Sequence, residues 1–407
     1  MTSQLRDKIE EEVAKGSSRS IISLVDDLVE YAHDVRASDI HINTKQDSVK
    51  VRFRIDGVLH PIFDLPKGLQ SEVISRIKIL SNLRTDEHQA TQDGRFRISL
   101  PDSRIVDVRV AITPAYYGES AVLRILSDKA SEFGLEPLGF SPADQKKVLS
   151  AIRKPYGMIL ATGPTGSGKT TSLYAFIKLL NKEDVSIITI EDPIEYAIDD
   201  IKQIPVNTKA GLTFSNGLRS ILRQDPDIIM VGEIRDEETA SLAVNTALTG
   251  HLLLSTLHTN DAATTLPRLL DMRSEPYLVA STVNVAIGQR LVRKICEHCK
   301  ESQIISDAEY KRIANVIGKR KINSNRIFYK GIGCNKCNQT GYNGRIGIYE
   351  VILMDNDIRQ GILRKASADE IKQIAIKNGM TTMVEDGFTK AAEGITTIEE
   401  ILRVVHE

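Results

Sequence analysis

The segment GPTGSGKT at residues 163–170 fits the phosphate-binding pattern G-x-x-x-x-G-K-[ST] at every fixed position. An apolar segment precedes it and a helical pattern follows, and such loops hold phosphate with backbone N–H groups at a helix N-terminus. We therefore expect ATP to bind here, with Lys169 on the β- and γ-phosphates and Thr170 on Mg²⁺. The residues expected to contact the nucleotide are Gly163, Pro164, Thr165, Gly166, Ser167, Gly168, Lys169, Thr170 and Thr171.

A second apolar run, IIMV at residues 228–231, leads into Gly232 and Glu233. This is the pattern of a Walker B strand, with glycine where many P-loop enzymes have a metal-side aspartate, so Mg²⁺ would be held from this side through water. The Glu233 carboxylate is predicted to orient or deprotonate the attacking water. A strand-end glutamate on its own would more often be a solvated surface group, and the nearby phosphate-binding loop is what favours catalysis.

Two further strand ends carry candidate residues. Glu191 ends an apolar run, and carboxylates at the carboxyl ends of parallel strands line the ligand crevice of open α/β sheets. Glu191 or Glu195 is therefore expected to help hold water or Mg²⁺. His258 ends the run that begins at His251, and it is a candidate sensor of the γ-phosphate. The alternative for either histidine is a hydrogen-bonded core residue.

The four cysteines form two C-x-x-C pairs, Cys296/Cys299 and Cys334/Cys337. Each pair presents two thiolates to one tetrahedral ion, and two pairs complete a structural zinc site. In a chain without a secretory signal, this pattern favours metal over disulfides. We predict Zn²⁺ on all four sulfurs, with His298 as a bystander; the alternative is a reduced, metal-free set of thiols.

Composition sets the broad class of the chain. Its 407 residues are enough for two or three domains, and 53 Lys plus Arg nearly balance 54 Asp plus Glu. No basic stripe interleaved with aromatic residues is present, so nucleic acid is not an expected partner. No apolar run approaches the ~20 residues that cross a bilayer, and the N-terminus lacks a signal peptide. We expect a cytoplasmic protein that reaches the membrane only through partners.

Hydrophobic periodicity predicts two domains. A helical pattern and then alternating segments are typical of a small α+β domain, whereas the later alternation of short apolar strands with helices indicates a mostly parallel sheet. The predicted boundaries are an N-terminal extension (1–18), a small α+β domain (19–128), a linker (129–139) and an α/β ATPase domain (140–407), which includes a tetracysteine subdomain (290–347) and C-terminal helices (355–407).

Together these motifs resemble those of the bacterial type II secretion and type IV pilus assembly ATPase family. The matching segments are GPTGSGKTT (163–171, Walker A), ITIEDPIE (188–195, Asp box), IIMVGEIRD (228–236, Walker B), TGHLLLSTLHTND (249–261, His box), and SDIHI (38–42), RIDG (54–57) and DVRVAITPAYYGESAVLRIL (107–126) in the preceding domain. The resemblance runs from about residue 20 to the end. It implies a RecA-like P-loop domain preceded by a smaller PAS-like α+β domain.

The resemblance also implies how the protein works. It implies a homo-hexameric ring whose ATP-driven domain motion acts on an inner-membrane platform protein, so that the ATPase lies peripheral to that membrane and drives pilin or pseudopilin polymerisation. Arginines of the smaller domain neutralise the γ-phosphate in the family; Arg109 and Arg124 match those positions, and Arg95 and Arg235 are weaker candidates. Residues 129–139 contain Gly134 and Pro137, which leave room for a hinge.

Two other functions stay open at this point. One is a related motor for pilus retraction or DNA translocation, and the other is a nucleotide-binding scaffold that does not hydrolyse ATP. The tetracysteine insert, common in assembly and secretion members, argues against retraction, and Glu233 argues against a scaffold. Many family members have a further N-terminal domain, whereas about twenty residues precede the small domain here, which indicates a short form or a truncated chain.

Overall fold

The structure is a computed structural model that describes residues 2–15, 20–100, 105–126, 134–317 and 326–405. The chain divides into two units, Met1–Lys129 and Ala130–Glu407. Across the described residues, no helix combines the length and the apolar character needed to span a lipid bilayer.

The first unit is built on a six-stranded sheet in the order β3-β2-β1-β6-β5-β4, with antiparallel neighbours throughout. Its described elements are α1 (Thr2–Ala14), α2 (Ile21–Asp34), β1 (Ala37–Thr44), β2 (Ser48–Ile55), β3 (Val58–Pro66), α3 (Gln70–Leu80), β4 (Gln92–Ser99), β5 (Ile105–Thr113) and β6 (Ser120–Leu126). Apolar side chains of the three helices and of one sheet face form its core.

Local sequence explains how these elements begin and turn. The Ser20 hydroxyl accepts a hydrogen bond from the Ser23 N–H at 3.2 Å and caps α2. Asp56 and Gly57, with φ of 49° and 87°, form the two-residue hairpin between β2 and β3 that an Asp-Gly pair favours. Because side chains alternate along a strand, β2 buries one set and leaves its basic residues on the other face.

The N-terminal helix changes one expectation. Residues 1–18 were expected to form an extension outside the small domain, but α1 carries Leu5 and the fully buried Ile9 into the core of the first unit. Lys8 also donates to the buried Asp27 of α2 at 2.6 Å. The sequence MTSQLRDKIEEEVA is too charged overall to reveal this narrow apolar stripe, which the partner helix completes.

The second unit is a mixed α/β domain with its own cysteine subdomain. Its described elements are α4 (Leu135–Leu138), α5 (Pro142–Ile152), β7 (Gly157–Thr162), α6 (Lys169–Leu180), β8 (Ile187–Glu191), β9 (Lys202–Pro205), α7 (Phe214–Ile221), β10 (Ile228–Val231), α8 (Glu237–Leu248), β11 (Leu252–Leu257), α9 (Ala262–Asp271), α10 (Pro276–Thr282), β12 (Val283–Ile295), β13 (Lys300–Ile304), α11 (Asp307–Ile317), β14 (Ile327–Gly331), β15 (Tyr342–Leu353), α12 (Asn356–Leu363), α13 (Ala368–Lys377), α14 (Met383–Ala392) and α15 (Ile398–Val405).

The main sheet of this unit has seven strands in the order β15-β12-β7-β11-β10-β8-β9. All neighbours are parallel except β15, which pairs antiparallel with β12. Strands β7, β8, β10 and β11 are buried along their whole length, and apolar clusters cover both faces of the sheet. The expected mostly parallel sheet is therefore confirmed, and the carboxyl ends of its strands meet at one edge.

The second half of the proposed linker belongs to the second unit. Leu135 is buried in its core beside Phe140, and the Tyr349 hydroxyl donates to the Leu138 carbonyl at 3.0 Å. Gly134 precedes α4 and Pro137 lies inside it. The expected hinge near these residues stays a prediction. Residues 129–133 of the linker lie outside the described part of the chain.

Two long strands of the main sheet continue into the cysteine subdomain. β12 and β15 pair over most of their length, from Val285 opposite Leu353 to Ile295 opposite Tyr342. The expected boundary at residue 290 thus falls inside β12, which runs unbroken to the residue before Cys296. Strands β13 and β14 form a separate two-stranded sheet between the two cysteine pairs.

Candidate nucleotide-binding and metal sites

The phosphate-binding loop connects β7 to α6 at the carboxyl edge of the main sheet. The backbone φ is 147° at Gly163, 81° at Gly166 and 87° at Gly168, and such positive values favour glycine. Gly168 precedes α6, and among the described residues no side chain caps this helix. The first N–H groups of α6 and the positive end of its dipole are therefore available to an anion.

The Lys169 ammonium bends back over this loop. It donates to the carbonyls of Gly163 and Pro164 at 2.8 and 3.0 Å. Burial lowers the pKa of Lys169 to about 8, with Glu233 acting against this shift and Arg290 acting with it. Phosphate groups would supply the negative charge that this buried ammonium lacks.

Binding of ADP at about pH 9 should therefore be accompanied by proton uptake at Lys169. A pKa of about 8 leaves Lys169 mostly neutral at that pH, whereas nearby phosphates favour the protonated form and raise the pKa. Isothermal titration calorimetry in buffers of different ionisation enthalpy measures the uptake, which should shrink at pH 7. Lys169→Arg should bind ADP without uptake, because a guanidinium stays charged. Absence of uptake by the parental protein at pH 9 would contradict the lowered pKa.

Glu233 lies two residues after β10, between two basic side chains. Arg235 Nη2 is 2.6 Å from its Oε1, and His258 Nε2 is 3.0 Å from its Oε2. The carboxylate is buried, whereas the His258 side chain is 48% exposed. Glu233 also acts on the pKa of Lys169. The structure thus brings Glu233, His258 and Lys169 together, and their catalytic roles stay predictions.

Glu191 lies in a different environment from the one expected. Tyr174 and Thr189 donate hydroxyl hydrogen bonds to its carboxylate, the latter at 2.6 Å, and Gln203 Nε2 donates at 3.1 Å. Burial raises the pKa of Glu191, and these donors oppose the rise. Because both oxygens are occupied by protein donors, the carboxylate ties α6 to β8 and β9. A role in holding water or Mg²⁺ stays a prediction.

Threonines fix the His258 loop to the end of β7. The Thr162 hydroxyl contacts the carbonyls of Leu257 and Thr259 at 3.1 and 2.9 Å, and the Thr259 N–H donates to it at 3.1 Å. Thr259 in turn contacts the Thr265 hydroxyl in α9 at 3.0 Å. Thr259, which follows His258, is therefore held against β7, the strand that leads into the phosphate-binding loop.

Sequence reasoning missed two residues of β12 that border the loop. Gln289 is buried and its Nε2 donates to the Ser167 carbonyl at 2.8 Å. Arg290 follows it and contributes to the lowered pKa of Lys169. The sequence signal that could have revealed them is the polar pair Gln289-Arg290 within the apolar segment VNVAIGQRLV, because a polar side chain at a core position needs a hydrogen-bonding partner.

The four cysteines converge on one point. Their Sγ atoms all lie within 4.8 Å of one another, with 3.9 Å from Cys296 to Cys334 and 3.8 Å from Cys299 to Cys337. A tetrahedral ion with Zn–S bonds of ~2.3 Å requires sulfurs ~3.8 Å apart, whereas a disulfide requires ~2.05 Å. The cluster has the spacing of a ligand set.

Backbone groups prepare one of these sulfurs for metal. Burial acts to raise the pKa of the Cys337 thiol, but N–H groups of Cys334 and Gly341, each 3.2 Å away, and the neighbouring Cys334 and Cys299 sulfurs lower that pKa below its usual value, whereas burial raises the pKa of Cys296 and Cys299. A thiolate is the form that binds zinc. The residues present therefore fit Zn²⁺, held by Cys296, Cys299, Cys334 and Cys337.

The exposed sheet face of the first unit carries a row of charged residues. Each member lies directly opposite the next on five neighbouring strands; in order across the sheet they are Arg95, Arg109, Arg124, Asp39 and Arg54. Asp39 Oδ1 is 3.1 Å from Arg124 Nε, and Asp39 Oδ2 is 3.4 Å from Arg54 Nε. Asp39 thus pairs with an arginine on each neighbouring strand, whereas Arg95, Arg109 and Arg124 place like charges directly opposite one another, an arrangement that costs a sheet stability.

The family model described as "Type II/IV secretion system protein" matches residues 14–403. The chain belongs to this family. The type IV pilus assembly ATPase PilB of Thermus thermophilus is 48% identical over 90% of the chain, and the type II secretion system protein E of Pectobacterium carotovorum is 44% identical over 95%. The resemblance stated from the motifs is confirmed.

The fold of this member of the type II/IV secretion system family is similar to that of a solved structure. The structure of the pilus retraction motor PilT with bound ADP aligns with a TM-score of 0.62 and 27% identity, covering 93% of this chain and 96% of that chain. The chain spans 41% of the length of the Thermus thermophilus relative and 76% of the Pectobacterium carotovorum relative.

Proposed function

We propose that this chain is a cytoplasmic ATP hydrolase that powers type IV pilus assembly or type II secretion. The observation that carries the proposal is the cluster at the carboxyl edge of the main sheet, where a phosphate-binding loop, Lys169 and the Glu233–His258 pair meet. Family membership supports it, because curated relatives are named as assembly ATPases and secretion proteins.

The chain's own residues divide the chemistry between them. Backbone N–H groups of the loop and Lys169 bind phosphate, and the Thr170 hydroxyl would hold Mg²⁺, which would supply positive charge to the phosphates. Glu233 accepts a proton from, or orients, the attacking water. Its two partners, Arg235 and His258, hold the carboxylate in one orientation, because each occupies a different oxygen.

Zinc completes the cysteine subdomain in this proposal. A tetracysteine site with no open position is structural, so Zn²⁺ held by the four sulfurs would join the C-x-x-C pair that follows β12 to the pair that precedes β15. The presence of this cysteine subdomain supports a role in pilus assembly or secretion and not in pilus retraction.

Arginines of the first unit are proposed to act on the γ-phosphate. The row that contains Arg109 and Arg124 has more arginines than carboxylates. Hydrolysis would remove the γ-phosphate, which is the anion that these arginines are proposed to contact. We propose a homo-hexamer in which this change moves the units, with an inner-membrane platform protein as the partner that receives the motion. Membrane association then comes only through that partner.

Steady-state ATP hydrolysis, measured with and without double-stranded DNA, tests the function. The proposal expects Mg²⁺-dependent turnover that DNA leaves unchanged. Stimulation by DNA would instead indicate a translocating motor. Nucleotide binding without turnover in an intact hexamer would indicate a scaffold. A pull-down with the platform protein of a pilus system and with that of a secretion system, each supplied in turn, separates pilus assembly from type II secretion.

Arg109→Ala and Arg124→Ala should each lower turnover at least ~10-fold while ADP binding stays nearly unchanged, because ADP has no γ-phosphate to contact. Arg97→Ala is the matched control, since Arg97 lies on the same sheet but pairs with Asp107 at 2.9 Å outside the row. Mixing Arg109→Ala chains with Lys169→Ala chains shows which subunit's nucleotide Arg109 contacts. Recovery of activity in the mixture means that Arg109 acts on the nucleotide of a neighbouring subunit. Equal losses of ATP and ADP affinity would show a structural role instead.

A further inference from the structure

One residue of β12 contacts both ends of the phosphate-binding loop. Gln289 Nε2 donates to the Ser167 carbonyl at 2.8 Å, near the end of the loop. At the start of the loop, a Cβ added to Gly163 would lie only 2.5 Å from the Gln289 carbonyl oxygen. Gln289 is 1% exposed, so it supports the loop from inside the protein, opposite the exposed residues Pro164 and Thr165.

The contact at Ser167 fixes the direction of one N–H group. The carbonyl of Ser167 and the N–H of Gly168 belong to the same planar trans peptide, so they point in opposite directions. With the carbonyl directed inward to Gln289, the Gly168 N–H is directed outward, to the side where phosphate is expected. Gly168 has φ of 87°, and glycine at such a value has little intrinsic preference to hold this orientation.

We infer that Gln289 is a positioning residue that orients the Ser167–Gly168 peptide for phosphate binding. The inference rests on the proposed nucleotide binding at this loop. Gln289 does not touch the phosphate itself. It acts through the Ser167 carbonyl, and it therefore affects the α- and β-phosphates shared by ADP and ATP more than it affects the adenosine moiety.

The test replaces Gln289 with methionine, which has similar length and no hydrogen-bonding amide. The dissociation constant for ADP should rise about 10-fold or more, the scale of one lost charge-assisted hydrogen bond. The dissociation constant for adenosine, measured by competition with a fluorescent ADP analogue, should change less than about twofold, since adenosine carries no phosphate. In turnover assays, KM should rise more than kcat falls.

Asn284→Leu on the same strand is the matched control. Asn284 is also a buried amide, and its Nδ2 donates to the Tyr156 carbonyl at 2.8 Å beside Gly157, at the opposite end of β7. This variant should lower thermal stability at least as much as Gln289→Met does, yet keep the parental ratio of adenosine to ADP affinity. If Gln289→Met fails to fold, Gln289→Asn, which is one methylene too short to reach Ser167, carries the same expectation.

Two results would overturn the inference. One is parental ADP affinity in both Gln289 variants, and the other is an equal loss of ADP and adenosine affinity, which a general loss of structure would produce. Failure of the parental protein to bind ADP is a different outcome, because it rejects the proposed function as well.

Discussion

Replacing Glu233 with glutamine should lower kcat for ATP hydrolysis by ~10² to 10⁴-fold, the range that positioned proton transfer contributes. Glutamine keeps the size of the side chain and its contact to Arg235 or His258, but it cannot accept the proton of the attacking water. ATP binding should be retained, because Lys169 and the loop N–H groups are unchanged. Single-turnover hydrolysis and a separate binding measurement distinguish the two steps.

Glu237→Gln is the control for this substitution. Glu237 lies four residues further along, at the start of α8, where it is 54% exposed and 3.4 Å from Arg273. The same chemical change there should leave turnover near the parental value. Normal turnover in Glu233→Gln would remove Glu233 from the mechanism, and loss of ATP binding in that variant would assign it to the binding step.

Removal of the proposed zinc ligands should have the largest effect on folding. Zinc binding to structural sites contributes roughly 10–16 kcal/mol of apparent free energy, so Cys337→Ser should leave the cysteine subdomain without most of its stabilisation. The parental protein should contain one zinc per chain by elemental analysis, and the variant should contain almost none. Limited proteolysis should then cut within residues 290–347, while ADP still protects the phosphate-binding loop.

His298→Ser separates ligand loss from a change near the site. His298 is exposed and lies within the first cysteine pair. The four sulfurs already supply a complete tetrahedral set, so this variant should keep its zinc and its protease resistance. Parental protein that is isolated without chelators and contains no zinc would reject the metal site, and loss of zinc in His298→Ser would revise its ligand set.

The phosphate-binding loop and the parallel strands could be predicted because their signals are local. A loop of eight consecutive residues has a pattern that does not depend on distant partners, and an apolar strand buried on both faces is a short continuous run. The convergence of four cysteines was predictable for a related reason: each C-x-x-C pair is local, and the metal requires the second pair.

The environment of Glu191 could not be predicted from such patterns. Its donors Tyr174, Thr189 and Gln203 come from a helix and two strands, and only the order of strands in the sheet brings them together. The arginine row is similar. Arg95, Arg109 and Arg124 line up because of the pairing registers of β4, β5 and β6, and a shift by one residue would move them to the other face.

The two-stranded extension of β12 and β15 has a mechanical consequence. From Gln289, beside the phosphate-binding loop, to Ile295, beside Cys296, β12 spans about 20 Å at ~3.3 Å per residue. β15 pairs with β12 over this length, apart from one register irregularity between Arg293 and Ile295, so the two strands stiffen each other. A tilt of about 10° at the nucleotide end would therefore carry the cysteine subdomain through roughly 3.5 Å, by the geometry of a rigid lever of that length. Small rearrangements around a bound phosphate group would thus move the cysteine subdomain by about the diameter of an atom.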